Sequence, residues 1–272
     1  MNPTSPNIGT WLSTGSPAIA ELAALCGFDW VLIDLEHGSG TEATVPDQLR
    51  ALRGCKAKGI VRVGAPHADL IARVLDWGAH GIMVPHVNSA AEAEHIVQAA
   101  HYAPRGQRGL SRSVRAYDYG LNPPGDTMPR PLMIAQIETV EAVQRAGEIA
   151  RVDGIDVLFV GPSDLQFELK HRADSSVGDY AQCLRTVVAA ARGAGKAPGI
   201  LARDAGELQP HLALGFTHIA VESDLSILRK TYQETLSPAS CGEQSRGPSL
   251  SPRNSAEPPS VQKANSISNC RR

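Results

Sequence analysis

Ionisable side chains come directly after apolar runs at several points of this chain. The run WVLIDL (30–35) leads into Glu36 and His37, and the run LMIAQIE (132–138) ends at Glu138. Carboxylates and imidazoles are costly to bury without a partner. The same residue types are suited to proton transfer and to metal binding. The positions of these groups therefore indicate a reactive site.

Glu138 and Asp164 are the candidates for a metal site. They follow consecutive apolar runs and are 26 residues apart, about the length of one β/α unit. Two carboxylates on neighbouring strand ends repel each other unless one is protonated or a cation lies between them. Oxygen ligands without Cys or His suit Mg²⁺ or Mn²⁺, with water and substrate oxygens completing the coordination. Each carboxylate could instead cap the helix that follows it, but we favour the metal site.

Arg62 places a permanent positive charge inside the apolar run GIVRVG (59–64). A buried guanidinium needs an anionic partner. It could form a structural ion pair, or it could bind a substrate carboxylate or a developing enolate. The sequence leaves both interpretations open.

His37 is the candidate general base. A single imidazole is most often a hydrogen-bonded core residue, but the position of His37 after Asp34 and Glu36 favours a role in proton transfer. Asp34 and Glu36 would orient water, metal ligands or the imidazole from behind. Asp76, in VLDWGA, could hold the imidazole in one tautomer or simply end its helix.

Eight apolar runs of strand length alternate with amphipathic segments. The runs cover residues 8–12, 30–35, 59–64, 81–85, 132–138, 156–161, 198–202 and 217–222. Helices are predicted within 16–27 and 89–100 and over 42–53, 67–77, 140–150, 178–194, 204–214 and 224–235. Strict alternation favours parallel strands joined by crossover helices. Eight units in about 236 residues predict an α/β protein with a (β/α)₈ TIM barrel, and the lack of G-x-G-x-x-G after the first strand weakens a Rossmann alternative.

In such a barrel, catalytic groups gather at the C-terminal ends of the strands. The candidates at that rim are Glu36, His37, Arg62, Gln136, Glu138, Ser163 and Asp164. Lys58 and Lys196 precede strands and belong to the opposite end, so no lysine is placed for a Schiff base. A metal-stabilised enolate is the consistent alternative. The long connection at about 103–130 predicts a functional or mobile loop.

Composition limits the possible function classes. The chain has 272 residues, a formal net charge of −2 and 42% hydrophobic residues, which predicts one large core and argues against a nucleic-acid partner. We expect no transmembrane segment, no signal peptide, no membrane partner and a cytoplasmic location. The five scattered cysteines indicate a reducing compartment and no zinc site. Ser- and Pro-rich residues 237–272 predict a disordered tail after a barrel domain at 1–236.

Several motifs resemble those of the HpcH/HpaI class II aldolases. They are DLEHG, GIVRVG, LDWGAHGIMVPHV, YAPRGQRG with RAYDYG, QIETVEAV and VGPSDL. The resemblance covers about residues 8–236 in the right order and spacing. It implies a modified TIM barrel that uses a divalent metal (Mg²⁺ or Mn²⁺, possibly Co²⁺) and no organic cofactor. It also implies a homo-oligomer, often a hexamer with the last helix exchanged, and a role such as the catabolism of aromatic compounds.

The resemblance implies roles for individual residues. Glu138 and Asp164 would bind the metal, and Arg62 would stabilise a pyruvate enolate. His37 would be catalytic, with Asp76 paired to it. Positions implied to contact the substrate are Gln136, Ser163, Trp11 and Leu201, of which Trp11 and Leu201 could equally be core residues.

Two features depart from the family pattern. The GPSDL motif continues with the bulky residues Gln166, Phe167 and Glu168, so the shape of the acceptor side is expected to differ. The eighth strand ends in VESD, and Glu222 there would repel an anion, which argues against a phosphorylated substrate.

The sequence thus predicts a divalent-metal-dependent aldolase. It would cleave a 4-hydroxy-2-oxo acid to pyruvate and an aldehyde, both small molecules. Two alternatives remain: an acyl-CoA lyase of the citrate lyase β or malyl-CoA type, and an inactive barrel that serves as a binding module. Turnover of a thioester would favour the first, and failure to bind Mn²⁺ or Mg²⁺ would favour the second.

Overall fold

The computed structural model describes residues 6–172 and 178–240. In this part of the chain, eight parallel strands form a closed barrel in sequence order, with β1 paired to both β2 and β8. The strands are β1 (Asn7–Leu12), β2 (Trp30–Asp34), β3 (Lys58–Arg62), β4 (Gly81–Val84), β5 (Leu132–Ile137), β6 (Val157–Val160), β7 (Ala197–Ala202) and β8 (His218–Ser223). The predicted TIM barrel is confirmed.

Helices surround the barrel and connect its strands. They are α1 (Pro17–Leu25), α2 (Val45–Ala51), α3 (Ala68–Asp76), α4 (Ala90–Ala100), α5 (Val140–Gln144), α6 (Ala146–Arg151), α7 (Pro162–His171), α8 (Tyr180–Gly193), α9 (Leu208–Leu214) and α10 (Asp224–Ser240). Short 3₁₀ turns lie at Glu42–Thr44, Arg115–Gly120 and Ala205–Glu207. No helix among the described residues is both long enough and apolar enough to cross a membrane.

Helix α7 was not among the predicted helices. It begins directly after β6, with Pro162 at its first turn, where the fixed φ of proline favours a helix start. Only Pro162 and Leu165 of this helix are buried. Such sparse burial leaves almost no apolar periodicity in the sequence, which explains the miss. The predicted helix 140–150 is in turn divided at Arg145 into α5 and α6.

The interior of the barrel has an apolar middle layer. Its main side chains are Trp11, Leu32, Ile60, Met83, Ile134, Phe159 and Ala220. Successive side chains of a strand face opposite sides, so Lys58, Ile60 and Arg62 of β3 share the inner face. Polar groups therefore lie at both ends of the barrel, with apolar packing between them. Gly199 makes room for this packing, because a Cβ there would lie 2.4 Å from a ring carbon of Phe159.

The long connection before β5 packs at the N-terminal end of the barrel. Arg115 donates to the Trp77 carbonyl at 2.5 Å and to the Leu49 carbonyl at 2.9 Å. The hydroxyls of Tyr102 and Tyr117 are 2.8 Å apart. These contacts hold the segment against the ends of the preceding helices, on the side away from the C-terminal rim.

Residues up to Thr231 form one compact unit, and a second unit begins at Tyr232. The predicted tail starts within α10, which continues to Ser240. Residues 241–272 lie outside the described part, so the predicted disorder and the domain boundary at 236/237 stay predictions.

Candidate active site

The turn after β2 is organised by the Asp34 carboxylate. Its Oδ1 accepts hydrogen bonds from the backbone N–H groups of Glu36 at 3.0 Å and His37 at 3.3 Å. Gly38 closes the turn, because a Cβ there would lie 2.3 Å from the Asp34 carbonyl oxygen. Asp34 thus orients the backbone that carries Glu36 and His37.

Arg62 forms a buried ion-pair network with the same turn. Its Nε and Nη2 donate to the two oxygens of Asp34 at 2.9 and 2.8 Å, and its Nη1 lies 2.7 Å from Oε2 of Glu36. The guanidinium also lies over the Trp11 ring, 5.1 Å from its centroid. Burial alone would raise the pKa of Asp34, but Arg62 and the two backbone donors bring that pKa below its ordinary value. Of the two interpretations of Arg62, the structural ion pair is present, and two of its five N–H donors remain for another ligand.

Glu138 is buried at the end of β5 and has two hydrogen-bond donors. Oε1 accepts the backbone N–H of His86 at 2.8 Å, and Oε2 accepts the side-chain amide of Gln136. The following helix is capped by Thr139, whose Oγ1 accepts the Ala142 N–H at 3.0 Å. Glu138 therefore does not act as a helix cap, which removes that alternative for this residue.

The charge around Glu138 is strongly negative. Burial raises the pKa of the Glu138 carboxyl, the nearby Glu36 and Asp164 carboxylates raise it further, and His86 opposes them. Asp164 is exposed in the first turn of α7. Gly161 leaves space for the carboxylate, because a Cβ there would be 2.4 Å from Oε2 of Glu138.

A divalent cation fits this arrangement. Carboxylate oxygens and a surplus of negative charge are what Mg²⁺ and Mn²⁺ prefer. The described residues contain no ready cluster of three His, Cys, Asp or Glu ligands. A cation held by Glu138 and Asp164 would therefore need further ligands from water and substrate.

His86 belongs to the site and was missed from the sequence. Its Nδ1 lies 3.3 Å from Oε1 of Glu138, and its Nε2 lies 3.9 Å from Oε1 of Glu36. Its φ is 53°, a left-handed conformation that is uncommon for a residue with a side chain. A cleft of about 160 Å³ beside the ends of β3 and β4 reaches it. The signal was available, since VPHV places an imidazole directly after the apolar run 81–85.

His37 and Asp76 are not brought together within the chain. The His37 side chain is 69% exposed, and its Nε2 lies 3.8 Å from Oε1 of Glu36. Asp76 accepts from Arg108 at 2.6 Å. Crossover helices run antiparallel to the strands, so the last residue of α3 lies at the opposite end of the barrel from the β2 turn. The described chain does not bring the two side chains together, and the pairing implied by the resemblance stays a prediction.

Comparison with known proteins decides the family. Residues 7–231 match the HpcH/HpaI aldolase/citrate lyase family. The chain belongs to this family. Its relatives include a hydroxypyruvate/pyruvate aldolase from Paraburkholderia phytofirmans, 39% identical over 86% of this chain and 93% of the relative. A 5-keto-4-deoxy-D-glucarate aldolase from Salmonella gallinarum is 36% identical over 84% of this chain and 90% of that relative.

A solved structure supports the same assignment. An HpcH/HpaI aldolase/citrate lyase family protein from Burkholderia cenocepacia superposes with a TM-score of 0.79 at 32% identity, covering 87% of this chain and 95% of that chain. The suspected family is confirmed. Since the relatives are aldolases, this HpcH/HpaI-family chain is a carbon–carbon lyase of the pyruvate-aldolase type that acts on small molecules.

Three other predicted site residues of this family member differ in their burial. Trp11 is buried in the barrel layer with its ring centroid 5.6 Å from that of Phe159, and Leu201 packs beside the layer. Trp11 is thus a core residue that lies under Arg62, Leu201 is partly buried, and the implied contact of both with substrate stays a prediction. Ser163 is exposed in the first turn of α7.

The two departures from the family pattern have structural explanations. Glu222 is ion-paired with Lys230 at 2.9 Å, so its charge is compensated and cannot by itself exclude an anionic substrate. Glu168 accepts the Val140 N–H at 2.8 Å and thereby joins α7 to α5. Phe167 is exposed and stacks on His171. Glu168 has a structural contact, and the effect of Phe167 on the acceptor side stays a prediction.

Proposed function

We propose that this chain is a divalent-metal-dependent aldolase that cleaves a 4-hydroxy-2-oxo acid to pyruvate, or a close 2-oxo acid, and an aldehyde. The observation that carries the proposal is the buried Glu138 carboxylate, which shares one rim with Asp164, Glu36 and the paired Arg62. Together with Asp34, which pairs with Arg62, these are four carboxylates and one guanidinium. Such a set is costly to keep together at a barrel rim unless a cation or a ligand compensates the charge.

Glu138 and Asp164 are the residues that would hold the cation. Gln136 and the His86 N–H would fix the Glu138 carboxylate in one orientation, as outer groups do for metal ligands. A bound divalent cation would polarise the keto group and stabilise the enolate that forms from it.

Arg62 would bind the 2-oxo acid through its remaining N–H donors. Asp34 and Glu36 hold the guanidinium in place before the reaction, so little reorganisation is needed when negative charge develops. The two carboxylates also reduce the net positive charge available to the ligand. The site therefore suits a carboxylate or enolate better than a phosphate dianion.

His37 would accept the proton of the 4-hydroxyl group, directly or through a water. The C3–C4 bond then breaks, its electron pair forms the enolate of pyruvate, and the 4-carbon leaves as an aldehyde. Protonation at C3 gives pyruvate. The exposure of His37 allows the imidazole to exchange its proton with solvent after each turnover.

The named relatives support this substrate class. They are described as aldolases of hydroxypyruvate and pyruvate and of a keto-deoxy sugar acid. Hydroxypyruvate, pyruvate and 5-keto-4-deoxy-D-glucarate each have a keto group next to a carboxylate, which is the 2-oxo acid group. We therefore place the substrate among 4-hydroxy-2-oxo acids, with the aldehyde portion near Phe167 and α7.

The test is a pyruvate-release assay with the purified chain and a panel of 4-hydroxy-2-oxo acids. We expect release that EDTA abolishes and that Mg²⁺, Mn²⁺ or Co²⁺ restores, with no product trapped by borohydride. Activity that survives chelation and is trapped by borohydride would overturn the proposal. Cleavage of acyl-CoA thioesters in place of 2-oxo acids would support the acyl-CoA lyase alternative, and absence of Mn²⁺ and Mg²⁺ binding would support the inactive barrel.

A further inference from the structure

A buried carboxylate begins the last helix at the C-terminal end of the barrel. Asp224 is the first residue of α10 and is only 5% exposed. A buried carboxylate is costly unless hydrogen-bond donors or a cation compensate its charge. Asp224 has no part in the proposed reaction, so its burial at this rim must serve another purpose.

The β1 loop, residues 13–16, supplies most of the donors that compensate this carboxylate. Oδ1 of Asp224 accepts the Ser13 N–H at 2.9 Å, and Oδ2 accepts the Thr14 N–H at 3.0 Å and the Thr14 hydroxyl at 2.6 Å. Oδ1 also accepts the Leu225 N–H at 2.8 Å. Hydrogen bonds to an ionised carboxylate are stronger than those between neutral groups. The carboxylate therefore fixes the β1 loop against the end of β8.

An irregularity in β8 precedes Asp224. Between Gly9 and Trp11 of β1, the register on β8 shifts by one residue. Glu222, in the shifted part, has a left-handed φ of 58°. Bulges beside active sites commonly change the direction in which a side chain points. This bulge accounts for the direction of the Asp224 side chain, across the end of β8 to the β1 loop.

The β1 loop in turn holds the turn that carries His37. The Ser39 N–H donates to the Ser13 carbonyl at 2.7 Å. Gly15 and Gly40 approach each other closely, because a Cβ at Gly15 would lie 2.8 Å from Cα of Gly40. The part of the turn that follows His37 is thus packed against the β1 loop.

These contacts connect Asp224 with the candidate base. Asp34 holds the turn at the His37 N–H, and the β1 loop holds it at the Ser39 N–H. The His37 ring itself is exposed, and its Nε2 lies 3.8 Å from Glu36, which is too long for a hydrogen bond. The position of the imidazole therefore depends on the backbone of the turn.

We propose that Asp224 is a positioning residue for His37. It acts through the β1 loop and the bond between Ser13 and Ser39, and it does not touch substrate. A general base must lie within hydrogen-bond reach of the proton that it accepts, and a displacement of about 1 Å costs a factor of about 100 in rate. The role of His37 rests on the proposed function, whereas the connection from Asp224 to the turn does not.

Hydrogen exchange of the full-length protein, measured by mass spectrometry, tests the connection. Asp224→Asn keeps the size of the side chain but loses the negative charge and one acceptor oxygen. We expect peptides that cover residues 34–40 to exchange at least about tenfold faster in this variant than in wild type, because the turn opens more readily. Thr14→Val, a milder variant that removes only the hydroxyl donor, should accelerate the same exchange about threefold.

Asp29→Asn is the matched control. The Asp29 carboxylate accepts the Ile8 N–H at 2.8 Å and so holds β1 near its opposite end. This variant should leave the exchange of residues 34–40 unchanged. Unchanged exchange in both Asp224→Asn and Thr14→Val, or equal acceleration in Asp29→Asn, would overturn the proposal.

Pyruvate release tests the effect on His37. We expect Asp224→Asn to lower kcat by about tenfold or more at an unchanged KM, because Arg62 and Glu138, which would hold substrate and cation, lie on other strands. Asp29→Asn should keep both constants. In the His37→Asn background, Asp224→Asn should lower kcat no further, since residues that act through one group are not additive.

A further loss of kcat in that double variant would show that Asp224 acts through another group, which would overturn the proposal. Absence of pyruvate release in wild type would instead overturn the proposed function. The exchange measurement would then decide the connection between Asp224 and the turn by itself.

Discussion

Arg62 contributes to the folded state and to the proposed reaction through the same guanidinium. Its contacts with Asp34 and Glu36 are buried. Breaking a buried ion pair on one side leaves charges without compensation, which costs much more than losing a pair on the surface. A substitution at this position therefore needs separate measurements of stability and turnover.

We expect Arg62→Ala to lower the free energy of unfolding by about 3–5 kcal/mol, since Asp34 and Glu36 lose the guanidinium that pairs with both. Urea denaturation of the metal-free protein measures this. Arg73→Ala is the control, because Arg73 pairs with Glu42 at 2.9 Å on the surface and should cost less than about 1 kcal/mol. Equal losses in the two variants would show that the Arg62 network contributes little to stability.

His37 allows a cleaner test of catalysis because it is exposed. We expect His37→Asn to lower kcat for pyruvate release by a factor of about 100 or more, as for the loss of a general base, with an unchanged melting temperature. His95→Asn, at an exposed position of α4, should leave both values unchanged. Turnover near wild type in His37→Asn would remove this imidazole from the mechanism.

At the scale of elements, the start of α7 must approach β5 closely. Gly161 lies so near Glu138 that any larger residue would displace the carboxylate or the Gln136 amide. The strand-to-helix junction thus determines the shape of the proposed metal site, although Gly161 itself has no functional group.

We therefore expect Gly161→Ala to weaken Mn²⁺ binding by about tenfold or more, measured by calorimetry, because an altered support of a metal ligand typically costs this much. Gly193→Ala is the control: a Cβ at Gly193, the last residue of α8, meets nothing within 4 Å. That variant should keep its Mn²⁺ affinity. Unchanged affinity in Gly161→Ala would mean that Glu138 does not hold the cation.

The sequence allowed prediction of the elements better than of their contacts. All eight strands lie within one or two residues of their predicted positions, because apolar runs bounded by turns are a strong signal. Helix α7 was missed because it buries little. Prediction of the Arg62–Asp34 pair would have required the register of β2 and β3, in which Asp34 lies beside Arg62. Apolar patterning does not specify that register. The pairing of His37 with Asp76 stays a prediction, because the direction of α3 places Asp76 at the other end of the barrel within one chain.

At the scale of the whole molecule, the two ends of the barrel differ in charge. Carboxylates dominate the C-terminal rim, whereas a cavity at the N-terminal end is lined by Lys58, Arg130 and two histidines with the single carboxylate of Asp156. The predicted homo-oligomer stays a prediction, and light scattering of the purified chain would test it.

Acid sensitivity should come partly from His218. Burial lowers the pKa of His218 from 6.5 to about 4. Between these values the unfolded chain binds the proton more readily than the folded chain, so stability is present above about pH 6.5 and is lost as the pH falls toward 4. We expect His218 to lower the free energy of unfolding by about 2 kcal/mol between about pH 7.5 and 5, measured by urea denaturation. His218→Leu should remove that part of the loss.

His95→Leu is the matched control for this measurement, since His95 is exposed on α4. It should retain the full dependence of stability on pH. If stability depends on pH identically in His218→Leu and in wild type, burial does not keep His218 neutral in the folded protein.

The apolar layer inside the barrel limits the paths available for proton transfer. Proton hopping needs an unbroken chain of water or hydroxyl groups, and side chains such as Leu32, Met83 and Phe159 offer none. Protons released at the C-terminal rim must therefore return to bulk solvent through the same opening by which substrate enters. The hydrogen delivered to C3 of the enolate should then carry the isotope composition of the water at that opening.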